Sequence, residues 1–419
     1  MSKVTKASYS VLIACTISHF MNHVYTGALS PFLTEIQTDL GISYTQVGII
    51  TSAAVVSMTT AHLLVGYLGD RGWRDKFISF SVLLAALAML LTSIAEEFVI
   101  LTIFQVFLGL GASGYHPSSF PTLAEKFPKD RSKATGTQAM GGLLGMAITP
   151  FLGVTLFVIF GTWQQSLRVL AIIGIIVFIP TYLLMRYSNG KKTRPEGMNE
   201  FNEIITDSQE AESCDGPDGW TKNFWIVLVL EGLRGMAFRC TSLLMPLYLS
   251  VQYSTGTVTA GYLTAVMLSA GLVGEVFSSY FSDKWKRRVP FIIVSTGIAT
   301  PALLLLNYHL NPISLVFVLI VIGFFFYLGD PANTAYQTEV CPRKSRGLAF
   351  GVIFSIGSIP GAISPIIFGI IGDSYGLEAS VLFLVITTLL ATITALFLKE
   401  VSEKSKEIER VILIDTTMK

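Results

Sequence analysis

Ionisable side chains stand at a few positions inside otherwise apolar segments of this 419-residue chain, and their types suggest anion binding and proton exchange. His19 and His23 are four residues apart, so both imidazoles lie on one face of a predicted helix, with Asn22 beside them. Imidazole and guanidinium groups donate hydrogen bonds to anions, whereas carboxyl groups exchange protons. The candidates for a binding cavity are His19, Asn22, His23, Tyr25, Tyr115, His116, Gln138, Arg234, Arg239 and Tyr327. The candidates for proton coupling are Glu231, Glu275 and Asp330.

Structural roles are open alternatives for several of these side chains. Glu231 and Arg234 are three residues apart and can neutralise each other on the helix surface. His116 and Asp330 each precede a proline, so they can hydrogen-bond backbone groups that the proline leaves unpaired. The two histidines of the first segment could also bind a transition metal, with His116 as the only plausible third ligand. We expect no metal, because no carboxylate or thiolate stands near them at ligand spacing.

The segments that carry these residues are typical of a membrane protein. The chain is 52% hydrophobic and 14% charged, whereas roughly a quarter of the residues in a soluble domain are charged. Apolar runs long enough to cross a bilayer recur along the chain, and they predict an all-α membrane protein with twelve transmembrane helices. The predicted spans cover 8–37, 44–68, 77–95, 98–125, 134–161, 168–186, 223–252, 258–282, 289–308, 314–339, 347–372 and 379–398.

Basic residues predict the orientation of these spans, because Lys and Arg are retained in cytoplasmic loops. All but Arg168, Arg234 and Arg239 of the 29 Lys and Arg residues fall on one side, together with both chain ends. We therefore expect a multi-pass protein of the cell membrane with both termini in the cytoplasm. A polar stretch between the sixth and seventh spans predicts a linker. The expected division is an N-terminal bundle at 1–187, a cytoplasmic linker at 188–222, a C-terminal bundle at 223–399 and a cytoplasmic tail at 400–419.

An internal repeat relates the two six-span halves. A shift of about 214 residues superposes identical residues at several places in the two halves. The matched pairs include Gly109 with Gly323, Glu125 with Glu339, Asp70 with Asp283, and Gly142 with Gly357. The same superposition puts Arg234 opposite His19. A duplicated six-span unit explains these matches and predicts two pseudo-symmetric bundles.

The loop between the second and third spans resembles the corresponding motif of the major facilitator superfamily. The matching residues are Gly66, Asp70, Arg71 and Arg74, with Asp283, Lys284 and Arg287 as a degenerate counterpart in the second half. Trp73 stands where that motif has a second glycine. The resemblance implies a major facilitator fold in which these residues form a cytoplasmic gate. Asp70 lies beyond a helix, where it can accept hydrogen bonds from a neighbouring helix N-terminus and pair with an arginine.

A finer resemblance is to the fosmidomycin-resistance branch of that superfamily. It rests on residues 111–117 with their continuation through Gly142, and on residues 19–22 with Tyr25 and Gly27. It implies export of drugs or related small molecules. The superfamily resemblance also implies that the first, fourth, seventh and tenth spans line a central cavity. Every charged candidate lies on those spans except Glu275, for which a structural role is the alternative. Thr149 replaces the glycine expected before Pro150 in the exchanger motif, which weakens the inference of antiport.

These features indicate a secondary active transporter rather than an enzyme or a channel. We expect alternating access for a small solute, anionic and organic or drug-like, coupled to protons or another ion. Export is favoured over proton-linked uptake of an organic anion. No HExxH, GxSxG or phosphate-binding Gly-Lys-Ser/Thr pattern indicates an enzyme, and no repeated carbonyl segment indicates a channel filter. The four cysteines are scattered, so we expect no disulfide; we also expect no cofactor, no nucleic-acid partner and a monomer.

Overall fold

The computed structural model describes residues 6–128, 130–190, 217, 219–342 and 345–401, and within these ranges the chain forms helices and turns without a strand. The helices are α1 (Lys6–Gly27), α2 (Leu33–Leu40), α3 (Tyr44–Leu68), α4 (Arg74–Thr92), α5 (Phe98–Ala112), α6 (His116–Lys126), α7 (Arg131–Phe160), α8 (Trp163–Gly190), α9 (Lys222–Gln252), α10 (Gly256–Trp285), α11 (Val289–Leu305), α12 (Pro312–Val340), α13 (Arg346–Val352), α14 (Ile359–Tyr375) and α15 (Leu377–Ala395). Most of the predicted linker and tail, at 191–216, 218 and 402–419, lies outside the described residues. The all-α architecture with twelve spans in two six-helix bundles is confirmed.

Hydropathy alone does not recover all twelve spans. Seven helical segments are long and apolar enough to cross a membrane by length and composition, and one of them joins α3 and α4. α11 and α14 are apolar but shorter. α1 and α9 are long enough to cross a membrane but are not apolar enough by composition. Buried polar side chains such as His19 and Arg234 interrupt their apolar residues. α1 and α9, the two spans that miss the criterion through their composition, are therefore those that carry most of the candidate site.

The first predicted span is interrupted, which corrects its bounds of 8–37. α1 ends at Gly27, and a 3-10 turn at Ser30–Phe32 leads into α2. Pro31 lies at the start of this turn, where its missing N–H leaves no helical hydrogen bond unmade. The break brings the short helix α2 and the 3-10 turn against α9 of the other half.

Two further predicted spans are also divided by breaks in the helix. The fourth, predicted at 98–125, breaks between α5 and α6, and Pro117 lies in the first turn of α6. The eleventh, predicted at 347–372, consists of α13 and α14 joined by a π-helical turn at Ile353–Gly357. Such breaks cannot be read from an apolar run. A proline in the run can mark the first turn of a new helix or lie within a continuous one, and the sequence around it looks the same in both cases.

Glycines allow the helices within each half to pack closely. A Cβ at Gly109 on α5 would overlap the carbonyl oxygen of Ala54 on α3. A Cβ at Gly323 on α12 would overlap the carbonyl oxygen of Met267 on α10. These glycines correspond in the internal repeat, so the same backbone contact is built twice. Lipid supplies no hydrophobic force between helices, and close van der Waals approach at small residues therefore stabilises both bundles.

The two halves meet along two helix pairs, α3 with α14 and α7 with α10. At the face opposite the chain ends, Asp373 at the end of α14 accepts hydrogen bonds from the backbone N–H groups of Tyr44 (2.8 Å) and Thr45 (2.9 Å) at the start of α3. Ser30 Oγ donates to the carbonyl of Leu243 at 2.6 Å, which adds a further hydrogen bond between the halves. The contacts of Asp373 hold the halves together at the face away from the chain ends.

Candidate functional site

A cavity of about 140 Å³ lies between the two halves. Helices α1 and α7 line it from the N-terminal half, and α9 and α10 line it from the C-terminal half. Its lining residues are His23, Thr26, Gly27, Ser30, Met146, Thr149, Pro150, Phe238, Arg239, Ser242, Leu243 and Leu268. Two of the predicted cavity residues, His23 and Arg239, therefore line it from opposite halves. Its wall is otherwise built from hydroxyl groups and apolar side chains, which is the usual composition of a small-molecule site.

Arg239 is the cationic group of this cavity. In the part of the chain that the structure describes, no carboxylate pairs with its guanidinium, and the side chain is half-buried. It lies within electrostatic range of His23 across the cavity and of Tyr327 on α12. A guanidinium held away from bulk water without a counter-ion is poised to bind an anionic group.

Tyr327 joins the two halves beside the cavity. Its hydroxyl lies 3.3 Å from Ser242 Oγ on α9 and 3.0 Å from the sulfur of Met146 on α7. Its ring packs edge-on against Phe238, with 4.9 Å between the ring centroids. Ser242, Met146 and Phe238 all line the cavity, so Tyr327 supports the cavity wall from behind.

A cluster of imidazoles lies in the N-terminal half. The ring centroid of His19 is 4.9 Å from that of His23 and 5.1 Å from that of His116. His62, on α3, adds a fourth ring 6.1 Å from His116. His19 is fixed within this cluster, because its Nδ1 donates to the carbonyl of Gln138 at 2.9 Å and its ring stacks on Tyr115.

Four predicted cavity residues instead lie in the core of the N-terminal half, which corrects their expected position. Asn22 donates to the carbonyl of Ala112 at 2.8 Å, and the hydroxyl of Tyr25 donates to the carbonyl of Leu170 at 3.3 Å. The hydroxyl of Tyr115 donates to the carbonyl of Cys15 at 2.8 Å. These three side chains, like that of Gln138, are buried, and none of the four lines the cavity. The hydrogen bonds of Asn22, Tyr25 and Tyr115 join neighbouring helices of the bundle.

A second cluster of charges lies in the C-terminal half, and its pairing differs from the local pair that spacing along the helix allows. Arg234 forms an ion pair with Asp330 and donates to the carbonyl of Phe326 at 3.1 Å. Glu231 does not pair with Arg234 on the helix surface; its carboxylate accepts hydrogen bonds from Asn333 at 2.8 Å and from Gln337 at 2.9 Å. Asn333 and Gln337 follow Asp330 by one turn and two turns on α12, so a single helix face holds both charges of α9.

Glu275 lies close to this cluster although it belongs to α10. Its carboxylate is within electrostatic range of Asp330 and Arg234. It forms no hydrogen bond or ion pair with any residue in the described ranges, and it is half-buried. Arg234 and His19, which the repeat superposes and which were both predicted for the cavity, are not among the residues that line it.

The loop motif of the N-terminal half forms a charge cluster at the face of the chain ends. Arg74 pairs with Asp70 at 2.7 Å and also with Glu125. Arg71 lies 4.0 Å from the ring centroid of Tyr67. A Cβ at Gly66 would contact nothing within 4 Å, so no close helix approach requires that glycine here.

The C-terminal half repeats this arrangement with a different sequence. Arg288 pairs with Asp283 at 2.5 Å and with Glu339 at 3.5 Å. Lys284 lies 5.6 Å from the ring centroid of Tyr280. The predicted motif named Arg287, which stands four residues after Asp283 as Arg74 stands after Asp70, but Arg288 is the residue that forms these pairs.

The predicted capping of a helix N-terminus by Asp70 is not the contact observed, because its carboxylate pairs with Arg74 of the next helix. Asp373 makes such a contact instead, at the opposite face and between the halves. Ser43, the N-cap of α3, accepts from the N–H of Gln46, and Asp373 accepts from the two N–H groups before it. Asp373 was missed because one carboxylate near a span end is an ordinary sequence feature.

His62 is the other functional candidate that the sequence interpretation omitted. It lies on α3, which belongs to the second span, and the resemblance implies no cavity role for that span. The available signal was its position as an ionisable side chain inside an apolar segment.

Comparisons with known proteins agree with this architecture. The family model described as Major Facilitator Superfamily matches residues 15–232 and 227–412. A cis,cis-muconate transport protein of Acinetobacter baylyi is 24% identical over 388 residues, covering 89% of this chain and 90% of that protein. A probable sulfoacetate transporter of Cupriavidus necator is 22% identical over 390 residues, covering 90% of each. The crystal structure of a bacterial homolog of the human lysosomal transporter Spinster, in an inward-facing and occupied conformation, superposes with a TM-score of 0.75 at 17% identity, covering 96% of this chain and 98% of that one. The finer resemblance to the fosmidomycin-resistance branch stays a prediction.

Proposed function

Because the chain belongs to the Major Facilitator Superfamily, we propose that it carries a small organic anion across the membrane by alternating access of its two halves. The superfamily and its related transporters establish the coarser statement, that the protein is a secondary transporter of a small solute. The anionic cargo, the coupling ion and the mechanism are the finer parts of the proposal.

The observation that carries the anionic cargo is the unpaired guanidinium of Arg239 in the cavity wall. An unpaired charge at bilayer depth costs roughly 2.5 to 3.5 kcal/mol on insertion scales, so a chain that retains one has a use for it. Arg234, five residues earlier on the same helix, is neutralised by Asp330 and has no such capacity. Muconate and sulfoacetate, the compounds named for two relatives, are both organic anions, which supports the same class of cargo.

The contacts between the halves support alternating access. Asp373 and Ser30 make hydrogen bonds between the halves, which supports a conformation that is closed at the face away from the chain ends and takes up solute from the face of the chain ends. Release on the other side requires these contacts to break while the two bundles rock. The bound anion must therefore favour that transition through contacts with both halves, as His23 and Arg239 would provide.

Proton coupling is the second finer part, and the charge cluster of the C-terminal half supports it. Arg234 pairs with Asp330 in this conformation, and Glu275 lies within electrostatic range of both. Two carboxyl groups can thus compete for one guanidinium, and the group that Arg234 leaves can take up a proton. An exchange of this kind would couple proton movement to the rocking of α9 against α10 and α12.

The experiment is transport by purified protein in proteoliposomes, with radiolabelled muconate and sulfoacetate as anionic probes and a neutral sugar as control. We expect saturable uptake and counterflow of an anionic probe, and loss of transport in Arg239→Ala with partial activity in Arg239→Lys. Retention of wild-type transport in Arg239→Ala would refute the anion site. Counterflow also separates a carrier from a channel, because a channel does not exchange labelled for unlabelled solute against a gradient.

Coupling and direction are read from the same vesicles with an imposed pH gradient. We expect the gradient to drive accumulation in the wild type and to lose its effect in Glu275→Gln, while counterflow persists in that variant. A wild type that ignores the gradient would reject proton coupling. The sign of the effect separates proton-linked uptake from proton-driven export.

A further inference from the structure

Four of the five histidines of this chain converge in the N-terminal half. α1 contributes His19 and His23, α6 contributes His116 and α3 contributes His62. The fifth, His309, lies apart from them, with its ring 6.3 Å from that of Tyr253 beside the loop after α11. Packing alone does not account for imidazoles from three helices meeting at bilayer depth, because a buried ring nitrogen without a hydrogen-bond partner is unfavourable.

The ring nitrogens of three of them lie close enough to share one ion. One ligand nitrogen from each of His19, His23 and His116 lies within 4.8 Å of the other two. An equilateral triangle of that side puts its centre about 2.8 Å from each nitrogen, compared with about 2.0 to 2.1 Å for a Zn–N bond. Each nitrogen must therefore move by at most about 0.7 Å, which small rotations of the side chains supply.

The hydrogen bonding of the cluster leaves these nitrogens available. The carbonyl of Gln138 can only accept, so Nδ1 of His19 carries the proton and Nε2 keeps its lone pair. A backbone carbonyl bonded to the second ring nitrogen is the usual support of a metal-binding histidine. The side chains of His23, His62 and His116 make no hydrogen bond within the described residues, and Nε2 of His62 is buried.

We propose that His19, His23 and His116 bind one late first-row divalent cation, such as Zn²⁺, with His62 positioned next to His116 as a source of a fourth ligand. Three neutral imidazoles without a carboxylate select zinc, cobalt, nickel or copper ions over magnesium and calcium ions, which require oxygen ligands. The absence of a nearby carboxylate argued against a metal from the sequence. A carboxylate is not required, because zinc sites with three histidine ligands and one position for water or substrate are an established arrangement. His62 offers a fourth imidazole in place of that water.

The site faces the transport cavity through one of its ligands. His23 belongs both to the cluster and to the cavity wall, so a cation held there lies beside the space that Arg239 enters from the other half. Binding of the cation does not depend on the cargo, and the inference can therefore be tested without any transport measurement.

The test is metal binding to the purified full-length protein in detergent, prepared with its affinity tag removed and stripped with a chelator. Calorimetric titration with Zn²⁺ should give one site per chain, and the same titration with Mg²⁺ should give none. Titration with Co²⁺ should give visible absorption bands from a cobalt ion with nitrogen ligands. Absence of Zn²⁺ binding and of these bands in the wild-type protein would overturn the inference.

Variants assign the site to the cluster. His116→Ala and His23→Ala should each weaken Zn²⁺ binding more than about 100-fold, since loss of a direct ligand exceeds the 10- to 100-fold effect of losing an outer partner. His309→Ala is the matched control and should bind as the wild type does. Undiminished binding in both cluster variants, or equal loss in His309→Ala, would also overturn the inference. Elution volume and metal-free melting temperature identify any variant that fails to fold.

A glycine next to the cluster provides an independent variant that removes no ligand. A Cβ at Gly142 on α7 would lie 2.5 Å from Cε1 and Nε2 of the His19 ring, so Gly142→Ala should displace this ligand. Gly136→Ala, on the same helix with nothing within 4 Å of its Cβ, is the control. We expect about 10- to 100-fold weaker Zn²⁺ binding in Gly142→Ala and no change in Gly136→Ala. Equal affinities in the two variants would contradict the placement of His19 in the site.

Discussion

The contact of Asp373 with the start of α3 predicts how strongly the protein prefers the conformation described here. Its carboxylate accepts two hydrogen bonds, at 2.8 Å and 2.9 Å, from the N–H groups of Tyr44 and Thr45 in the other half. Replacing a helix-capping side chain by alanine costs roughly 0.5 to 2 kcal/mol, and the helix dipole adds roughly 0.3 to 1 kcal/mol for an anion. Asp373 is exposed to solvent, which weakens both contributions. We therefore assign about 1 to 2 kcal/mol to the contact, which corresponds to a factor of roughly 5 to 30 between closed and open states.

The assay is a distance measurement between the halves at the face away from the chain ends. Spin labels at Thr38→Cys and Tyr308→Cys, both exposed, report separation of the halves by pulsed electron resonance. Cys15, Cys240 and Cys341 are buried and need no replacement, whereas Cys214 is exchanged for serine. Asp373→Ala should raise the population of the long-distance, open form about 10-fold.

A control on the same face separates this effect from a general loss of a carboxylate. Asp39 accepts a hydrogen bond from the indole N–H of Trp163 at 2.7 Å, and both residues belong to the N-terminal half. Asp39→Ala should leave the distance distribution unchanged, because the lost contact does not join the halves. The reasoning is refuted by a wild-type distribution in Asp373→Ala, or by equal shifts in the two variants.

Three further predictions concern single side chains. Gly323→Ala should lower the melting temperature of the detergent-solubilised protein by several degrees, because its Cβ would overlap a backbone oxygen, whereas Gly351→Ala, with open space around it, should not. Asp70→Asn should change the melting temperature little, because this exposed ion pair contributes less than about 1 kcal/mol to stability. The same variant should slow transport more than it weakens solute binding, and normal transport would count against a gating role. Tyr25→Phe should reduce thermal stability without changing the apparent affinity for solute, whereas Tyr327→Phe should alter that affinity; the opposite pattern would contradict the positions of these hydroxyls.

The candidate site could be predicted only in part, and the reason lies in the geometry of membrane helices. His23 and Arg239 were predicted for the cavity and line it, whereas Asn22 and Tyr25, within two residues of His23, face the core of the bundle. A soluble helix shows its buried side through the contrast between apolar and polar faces. A helix in lipid is apolar nearly all round, so its rotation depends on packing that distant residues determine.

The pairing of charges depended in the same way on distant parts of the chain. Spacing along α9 suggested that Glu231 and Arg234 neutralise each other, yet each finds its partner on α12. Asp330 offers Arg234 a charge-assisted bond, and Asn333 offers Glu231 an amide, so both side chains are satisfied without the local pair. Spacing along one helix shows which of its side chains can contact each other. It does not show which residues of a neighbouring helix form stronger bonds with the same side chains.

Apolar runs, matched glycines and the placement of Lys and Arg are local properties of the chain, and they sufficed to predict twelve spans in two related bundles. They suffice because lipid requires every span to satisfy its own backbone hydrogen bonds, which leaves the helix as the only structure for such runs. Folding in three dimensions decided the rest: which side chains reach the cavity, that α14 caps α3 across the halves, and that imidazoles from three helices meet. Residues such as His62 and His116 are far apart along the chain, and only the packing of their helices brings them together.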